Sequence, residues 1–190
     1  MPRVLGLREL VAACVFLAFV PALGQSVIDS VRAPCPVPLP GGTHCLAYDY
    51  NDPLLYLGGP SDSLFVIDDR RGAVVGAVRF DSPVAAVCYN PLVSSIYCGT
   101  ESDSVVYVIE PVTNRVLHEL KVGDGILAFV LDTIANRLFC VGGSGTVPVI
   151  DCATNVVEST VELPVSFAAG VATCYVPPLR RLYVAAEQDS

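Results

Sequence analysis

The chain has 190 residues, 53% hydrophobic and 16% charged, which is too apolar for a disordered protein. It carries 11 Lys+Arg against 19 Asp+Glu, a formal net charge of -8, whereas a nucleic-acid binder needs a basic face to displace counterions from phosphates. With 15 Gly, 15 Pro and no Trp, the composition favours many turns over long helices.

Residues 1–24 read as an export signal. Arg3 and Arg8 give a positive start, Leu10 to Val20 is an unbroken apolar run, and Pro21 precedes the small residues of Ala22-Leu23-Gly24, so cleavage is expected before Gln25. A membrane anchor is the competing reading, but Leu10 to Leu23 falls short of the roughly 20 residues that span a bilayer. A lipoprotein signal at Val11-Ala12-Ala13-Cys14 would leave almost no apolar run ahead of the Cys and would place Glu9 inside it. No second apolar span follows, so a secreted or periplasmic protein without a membrane span is expected after cleavage.

Residues 25–44 form a leader. Val27-Ile28-Asp29-Ser30-Val31-Arg32-Ala33-Pro34 is similar to Val74 to Phe80 further on, so it reads as a strand that closes the last unit of a repeat array, or else as a leader ahead of the first unit.

From residue 45 the chain repeats. Leu55-Tyr56, Ile96-Tyr97, Leu138-Phe139 and Leu182-Tyr183 recur at spacings of 41, 42 and 44. Val66-Ile67-Asp68, Val108-Ile109-Glu110 and Val149-Ile150-Asp151 recur at 42 and 41, each followed at one short step by Gly72, Asn114 or Asn155. The units run over about 45–85, 86–127 and 128–172, with an incomplete unit at 173–190.

Each full unit resolves into four β-type runs rich in Val, Ile, Leu, Tyr and Phe, here lettered A to D. Run A includes Ala86 to Tyr89, run B Ser95 to Gly99, run C Val105 to Ile109 and run D Val116 to Val122. Runs A to C are nearly all apolar, as expected of strands covered on both faces, and run D alternates, as expected of an outer strand. Four strands per unit of about 40 residues, with no helix, describe a blade of a β-propeller, whose faces are buried only against neighbouring blades. In the C–D turns the final Gly72, Asn114 or Asn155 is a type that accepts positive φ, and the leading Asp68, Glu110 or Asp151 offers oxygens to the turn N–H groups.

The chain thereby resembles the YVTN-type β-propeller repeat family. Tyr183-Val184, Val149-Ile150-Asp151 and Thr154-Asn155-Val156-Val157 match its repeat best, whereas the first unit has Arg71-Gly72 in place of Thr-Asn and the second has Glu110 in place of Asp. A WD40 reading lacks its Trp and its Gly-His…Trp-Asp pair. The resemblance implies an all-β propeller of four-stranded antiparallel blades, seven in number. About three and a half stand here, so the chain reads as the N-terminal part of a larger propeller whose further blades follow. It also implies likeness to sugar-lactonase and haem d1 propellers, a cofactor- or metal-dependent alternative whose site residues would come largely from those further blades.

The chemistry-bearing residues are few. His44 and His118 read as surface residues, no nucleophile or zinc-spaced pair is present, and Gly142-Gly143-Ser144-Gly145 is a turn with no helix behind it to hold a phosphate. No catalytic residue, metal site or cofactor is predicted. Asp62, Asp103 and Asp189 read as matching B–C turn positions, and Asp81 and Asp124 lie in the D–A connections. Asp62, Asp81, Asp103 and Asp124 are therefore the candidate binding residues, for a cation or a basic partner, with hairpin turn chemistry as the competing reading. Beyond Cys14 in the signal, Cys35, Cys45, Cys88, Cys98, Cys140, Cys152 and Cys174 remain. They read mainly as small buried hydrophobes, with Cys88–Cys98 and Cys35–Cys45 as candidate disulfides. The function expected is a non-enzymatic scaffold that binds a protein or small-molecule ligand.

Overall fold

In the computed structural model, described for residues 13–16, 30–33, 45–164, 166–167 and 171–186, each full repeat is one four-stranded antiparallel sheet. The first blade comprises β3 (Cys45–Asp49), β4 (Leu54–Gly58), β5 (Ser63–Asp68) and β6 (Ala73–Arg79), following the short pair β1 (Ala13–Phe16) and β2 (Ser30–Ala33). The second blade is β7 (Val84–Asn90), β8 (Ser95–Thr100), β9 (Val105–Ile109) and β10 (Val116–Lys121). The third is β11 (Ile126–Asp132), β12 (Arg137–Gly142), β13 (Thr146–Asp151) and β14 (Val156–Glu162). A fourth, two-stranded sheet pairs β15 (Val171–Val176) with β16 (Arg181–Ala186). Every run lettered from the sequence falls on its own strand, and the sheets are ordered A-B-C-D.

The repeat extends to its irregularities. Register shifts leave Val75, Leu117 and Glu158 as extra residues in the three outer strands, and Ala85 and Leu127 as extra residues early in β7 and β11. A bulge increases local twist, and repeating it at one place gives successive blades the same twist.

The core lies between blades. One cluster joins Ala47, Tyr56 and Leu64 of the first blade to Val84, Ile96 and Cys98 of the second. The next joins Tyr97, Val106 and Val108 to Ile126, Leu138 and Ile150. Burying one such side chain stabilises by about 1.5–3 kcal/mol, and only stacking buries them. The innermost strands β3, β7, β11 and β15 run side by side. The outer strands β6, β10 and β14 are largely exposed, and so is His118.

Glycines set the approach of blade on blade. A Cβ on Gly99 would meet Ile126 and Phe129 at 2.8 Å. Gly58 stands against Val84 and Cys45 in the same way.

The turns behave as their residues require. Gly72, Asn114 and Asn155 have φ of 58°, 58° and 54°. Asp68 accepts the Arg71 N–H at 3.1 Å, and Asp151 accepts the Ala153 N–H at 2.8 Å. A short 3-10 turn, Pro177–Leu179, links β15 to β16. No helix among the described residues is long and apolar enough to cross a membrane.

The cysteines correct one expectation. Across the β7–β8 hairpin Cys88 stands opposite Tyr97 and Cys98 opposite Val87, so the two thiols point to opposite faces and both are free. Cys45 is also free. Cys98, Cys140 and Cys152 are buried, as expected of small hydrophobes. The signal cleavage site, Cys35, His44 and Asp189 lie outside the described residues.

Candidate functional site

The antiparallel sheets send their B–C turns and D–A connections to one end and their A–B and C–D turns to the other. The first end holds the carboxylates singled out in the sequence. Equivalent backbone bonds define which residues correspond there. Phe80 N–H donates to Asp62 O at 2.7 Å, Val122 N–H to Ser104 O at 2.9 Å and Leu163 N–H to Gly145 O at 2.8 Å. Asp62 thus corresponds to Ser104 and Gly145 rather than to Asp103. Along the D–A connections Asp124 corresponds to Ser82, and Asp81 to Gly123. The carboxylates are not one repeated position, because the B–C turn of the second blade is one residue longer than that of the first, as the spacings of 41 before it and 42 after it record.

Each carboxylate has its own setting. Asp62 accepts the Ser63 hydroxyl at 2.8 Å. Asp103 accepts the Tyr107 hydroxyl at 3.3 Å, and burial together with the charges of Asp103, Glu119 and Asp81 pushes that phenol up to about 12. Tyr107 also packs on Phe80 at 4.7 Å between ring centres, and Asp81 is the next residue along the chain from Phe80.

Asp124 latches its connection to the B–C turn of the third blade. Its Oδ2 accepts the Ser144 N–H at 2.8 Å, the Ser144 hydroxyl at 2.6 Å and the Thr146 hydroxyl at 3.1 Å. Burial works against its charge, but those bonds and the Gly125 N–H outweigh it and hold the carboxyl below the usual carboxylate range. The second blade makes the smaller version, in which Ser102 N–H donates to the Ser82 hydroxyl oxygen at 3.1 Å. Partner volume follows. A Cβ on Gly142 would meet Asp124 Cγ at 2.7 Å, whereas in the second blade Thr100 holds the position of Gly142 and Ser82 that of Asp124. Among the described residues no three His, Cys, Asp or Glu converge as a metal site.

The opposite end carries residues that the sequence reading passed over. Asp49, Asn90 and Asp132 open the A–B turns at spacings of 41 and 42, and they are only 1%, 0% and 5% exposed. They accept turn N–H groups from Asn51 at 2.9 Å, Leu92 at 3.0 Å and Ile134 at 2.9 Å. The recurrence at the repeat spacing was the available signal. Bonds between blades cluster here too. Asn51 donates to the Tyr89 hydroxyl oxygen at 2.7 Å, Asn90 to Asn136 at 2.8 Å and the Tyr175 hydroxyl to Asp132 at 2.6 Å. The Asp132 carboxyl is lowered, since bonds from Tyr175, Ala135 and Ile134 and the charge of Arg180 outweigh the opposing effect of burial.

One turn at this end departs from the pattern. Asp69 and Cys152 donate their N–H groups to Pro53 O and Asn136 O, both at 3.0 Å, tying C–D turn to A–B turn in the first and third blades. Pro111 stands at that position in the second blade and has no N–H to give. Glu110, longer than Asp, accepts the Thr113 hydroxyl at 2.6 Å. The turn closes instead as a γ-turn, Thr113 N–H to Pro111 O at 2.8 Å, with Val112 at φ 70°. A β-branched residue there stores strain on the order of 1–3 kcal/mol. Beside it lies a hollow of about 200 Å³ lined by Asp52, Pro53, Leu54, Asp68, Arg70 and Val112.

No protein-family model matches the chain, and no curated protein does either. Its fold is that of solved β-propellers. The Myceliophteria thermophila Cps50 (Swd1) beta-propeller domain matches at a TM-score of 0.60 and 15% identity, covering 75% of this chain and 48% of that one. Saccharomyces cerevisiae Sqt1 matches at 0.59 and 14%, covering 70% and 38%. Kuenenia stuttgartiensis hydrazine synthase matches at 0.57 and 18%, covering 63% and 35%. At these identities the likeness concerns the fold alone, and this chain spans less than half the length of each.

Proposed function

We propose that the chain is the opening part of an extracytoplasmic, YVTN-type β-propeller that binds a basic partner and carries out no catalysis of its own. The observation that carries the reading is the Asp103–Tyr107 bond, with Tyr107 packed on Phe80 and Asp81 next to it in the chain, at the end formed by the B–C turns and D–A connections. A chain of net charge -8 adds long-range attraction for a cationic partner. The export signal, Tyr183-Val184 and the Val149-Ile150-Asp151…Thr154-Asn155 signature support the compartment and the YVTN assignment. Further blades of the same chain, to a total of seven, would complete the ring and add residues to this face.

Titration with a lysine-rich peptide at low and high salt tests the binding face. Salt-sensitive binding that weakens several-fold in the Asp81→Asn, Asp103→Asn double variant is the expected result. Binding indifferent to both changes overturns the reading. The mass of the exported protein tests the compartment, with a chain beginning at Gln25 expected.

A further inference from the structure

The hollow at the opposite end lies where the A–B and C–D turns of the first blade meet the C–D turn of the second. Near the Val112 turn that walls it are two polar atoms that the fold leaves without partners. Tyr56 is fully buried and its hydroxyl has no hydrogen bond, and the buried Asn114 Oδ1 has none either. One repeat later the same two residue types meet, with Tyr97 Oη and Asn155 Oδ1 2.9 Å apart. In the first pair the Val112 turn intervenes. Its backbone lies beside the Tyr56 hydroxyl without bonding geometry, and the charge of Asp52 reaches the same phenol. Val112 and Asp52 both wall the hollow, so the turn that lines it is the one beside the Tyr56 hydroxyl.

We propose that this hollow is a binding site for an alkylammonium group, as carried by a lysine side chain. Its size decides against a drug-sized molecule, since such ligands fill about 300–1,000 Å³, whereas a hollow of about 200 Å³ suits one long side chain. Its walls divide by chemistry. Pro53, Leu54 and Val112 offer apolar surface to a methylene stem, and Asp52 and Asp68 offer carboxylates to a charged head. The Asp68 carboxylate is partly engaged by Arg71, at 3.1 Å from its N–H and 3.4 Å from its Nε, which makes Asp52 the main acceptor. The single cation among the lining residues, Arg70, is exposed. A ligand that shifts the Val112 turn opens the Asn114 carbonyl and the Tyr56 hydroxyl to the site and gives both a partner. The strain at Val112 favours that shift. The site is separate from the Asp81–Asp103 face and stands or falls independently of it.

The test is an amide-resolved NMR titration of the full chain with N-acetyl-lysine methylamide, its neutral isostere N-acetyl-norleucine methylamide, and n-butylammonium. The lysine probe is expected to shift the amides of Asp52, Val112 and Asn114, the norleucine probe is expected to leave them in place, and Asp52→Asn is expected to weaken the lysine probe several-fold. Asp52 is exposed on its turn, and an unchanged spectrum elsewhere shows that the variant folds. Butylammonium binding as well as the lysine probe identifies a free amine as a sufficient ligand, and tighter binding of the lysine probe identifies a peptide side chain. Either result supports an alkylammonium site. Absence of shifts, equal shifts with norleucine, or unchanged affinity in Asp52→Asn overturns it.

Discussion

The hydroxyl of Tyr97, on the second strand of the second blade, donates to Oδ1 of Asn155 in the last turn of the third blade at 2.9 Å. The two residues are 58 apart in the chain and meet only because consecutive repeats stack face to face. One repeat earlier, Tyr56 and Asn114 stand at the corresponding positions and do not bond. The turn before Asn114 differs as well, since Pro111 has no N–H to give and Val112 takes a φ of 70°.

This contrast predicts opposite effects from one kind of substitution. Tyr97→Phe removes a made bond and strands a carbonyl oxygen, at a cost of about 1–3 kcal/mol. Tyr56→Phe removes a hydroxyl that is already stranded and is expected to be neutral or stabilising. Urea denaturation of the two variants checks the difference.

The Asp124 latch predicts a rescue. Gly142→Thr drives a side chain into Asp124 and should destabilise by about 1–3 kcal/mol. Adding Asp124→Ser recreates the Ser82 and Thr100 combination of the second blade and should recover most of the loss. Thermal melts of wild type, single and double variants measure the recovery.

Stability should fall at both ends of the pH range. Burial raises the Cys45 and Cys88 thiols from an ordinary 9.0 to about 12 and the Tyr56 phenol from 10.0 to about 12. The folded state holds these protons more tightly, so their contribution is complete below about pH 9 and is lost as pH rises toward 12. Asp124 and Asp132 lie below their ordinary 3.8, so their contribution is present above that pH and is lost as pH falls through the lowered values. Denaturation midpoints measured across pH should therefore drop below about 4 and above about 9.

Thiol reactivity should follow burial. Cys98, Cys140 and Cys152 are buried within the three complete blades. A thiol reagent should label these three only on unfolding, as peptide mass mapping would show.

The blade order was legible because apolar runs and turn residues share one period, and each lettered run became a strand. The positive φ at Gly72, Asn114 and Asn155 was legible for the same reason. The correspondence of Asp62 with Ser104 was not, since it depends on which carbonyl the following outer strand bonds in turns of unequal length. Asp49, Asn90 and Asp132 recur at the repeat spacing, but their burial, which makes them structural, depends on the folded turns. The hollow was not legible, because Val112 of the second blade lines it together with turn residues of the first.

The stacking of consecutive repeats as blades is tested most directly by a double-mutant cycle on Tyr97→Phe and Asn155→Gly, the glycine keeping the positive φ at that turn. Urea stabilities of the four proteins should give a coupling of about 1 kcal/mol between residues that only stacked blades bring together. Strict additivity would contradict the face-to-face packing of the second and third blades.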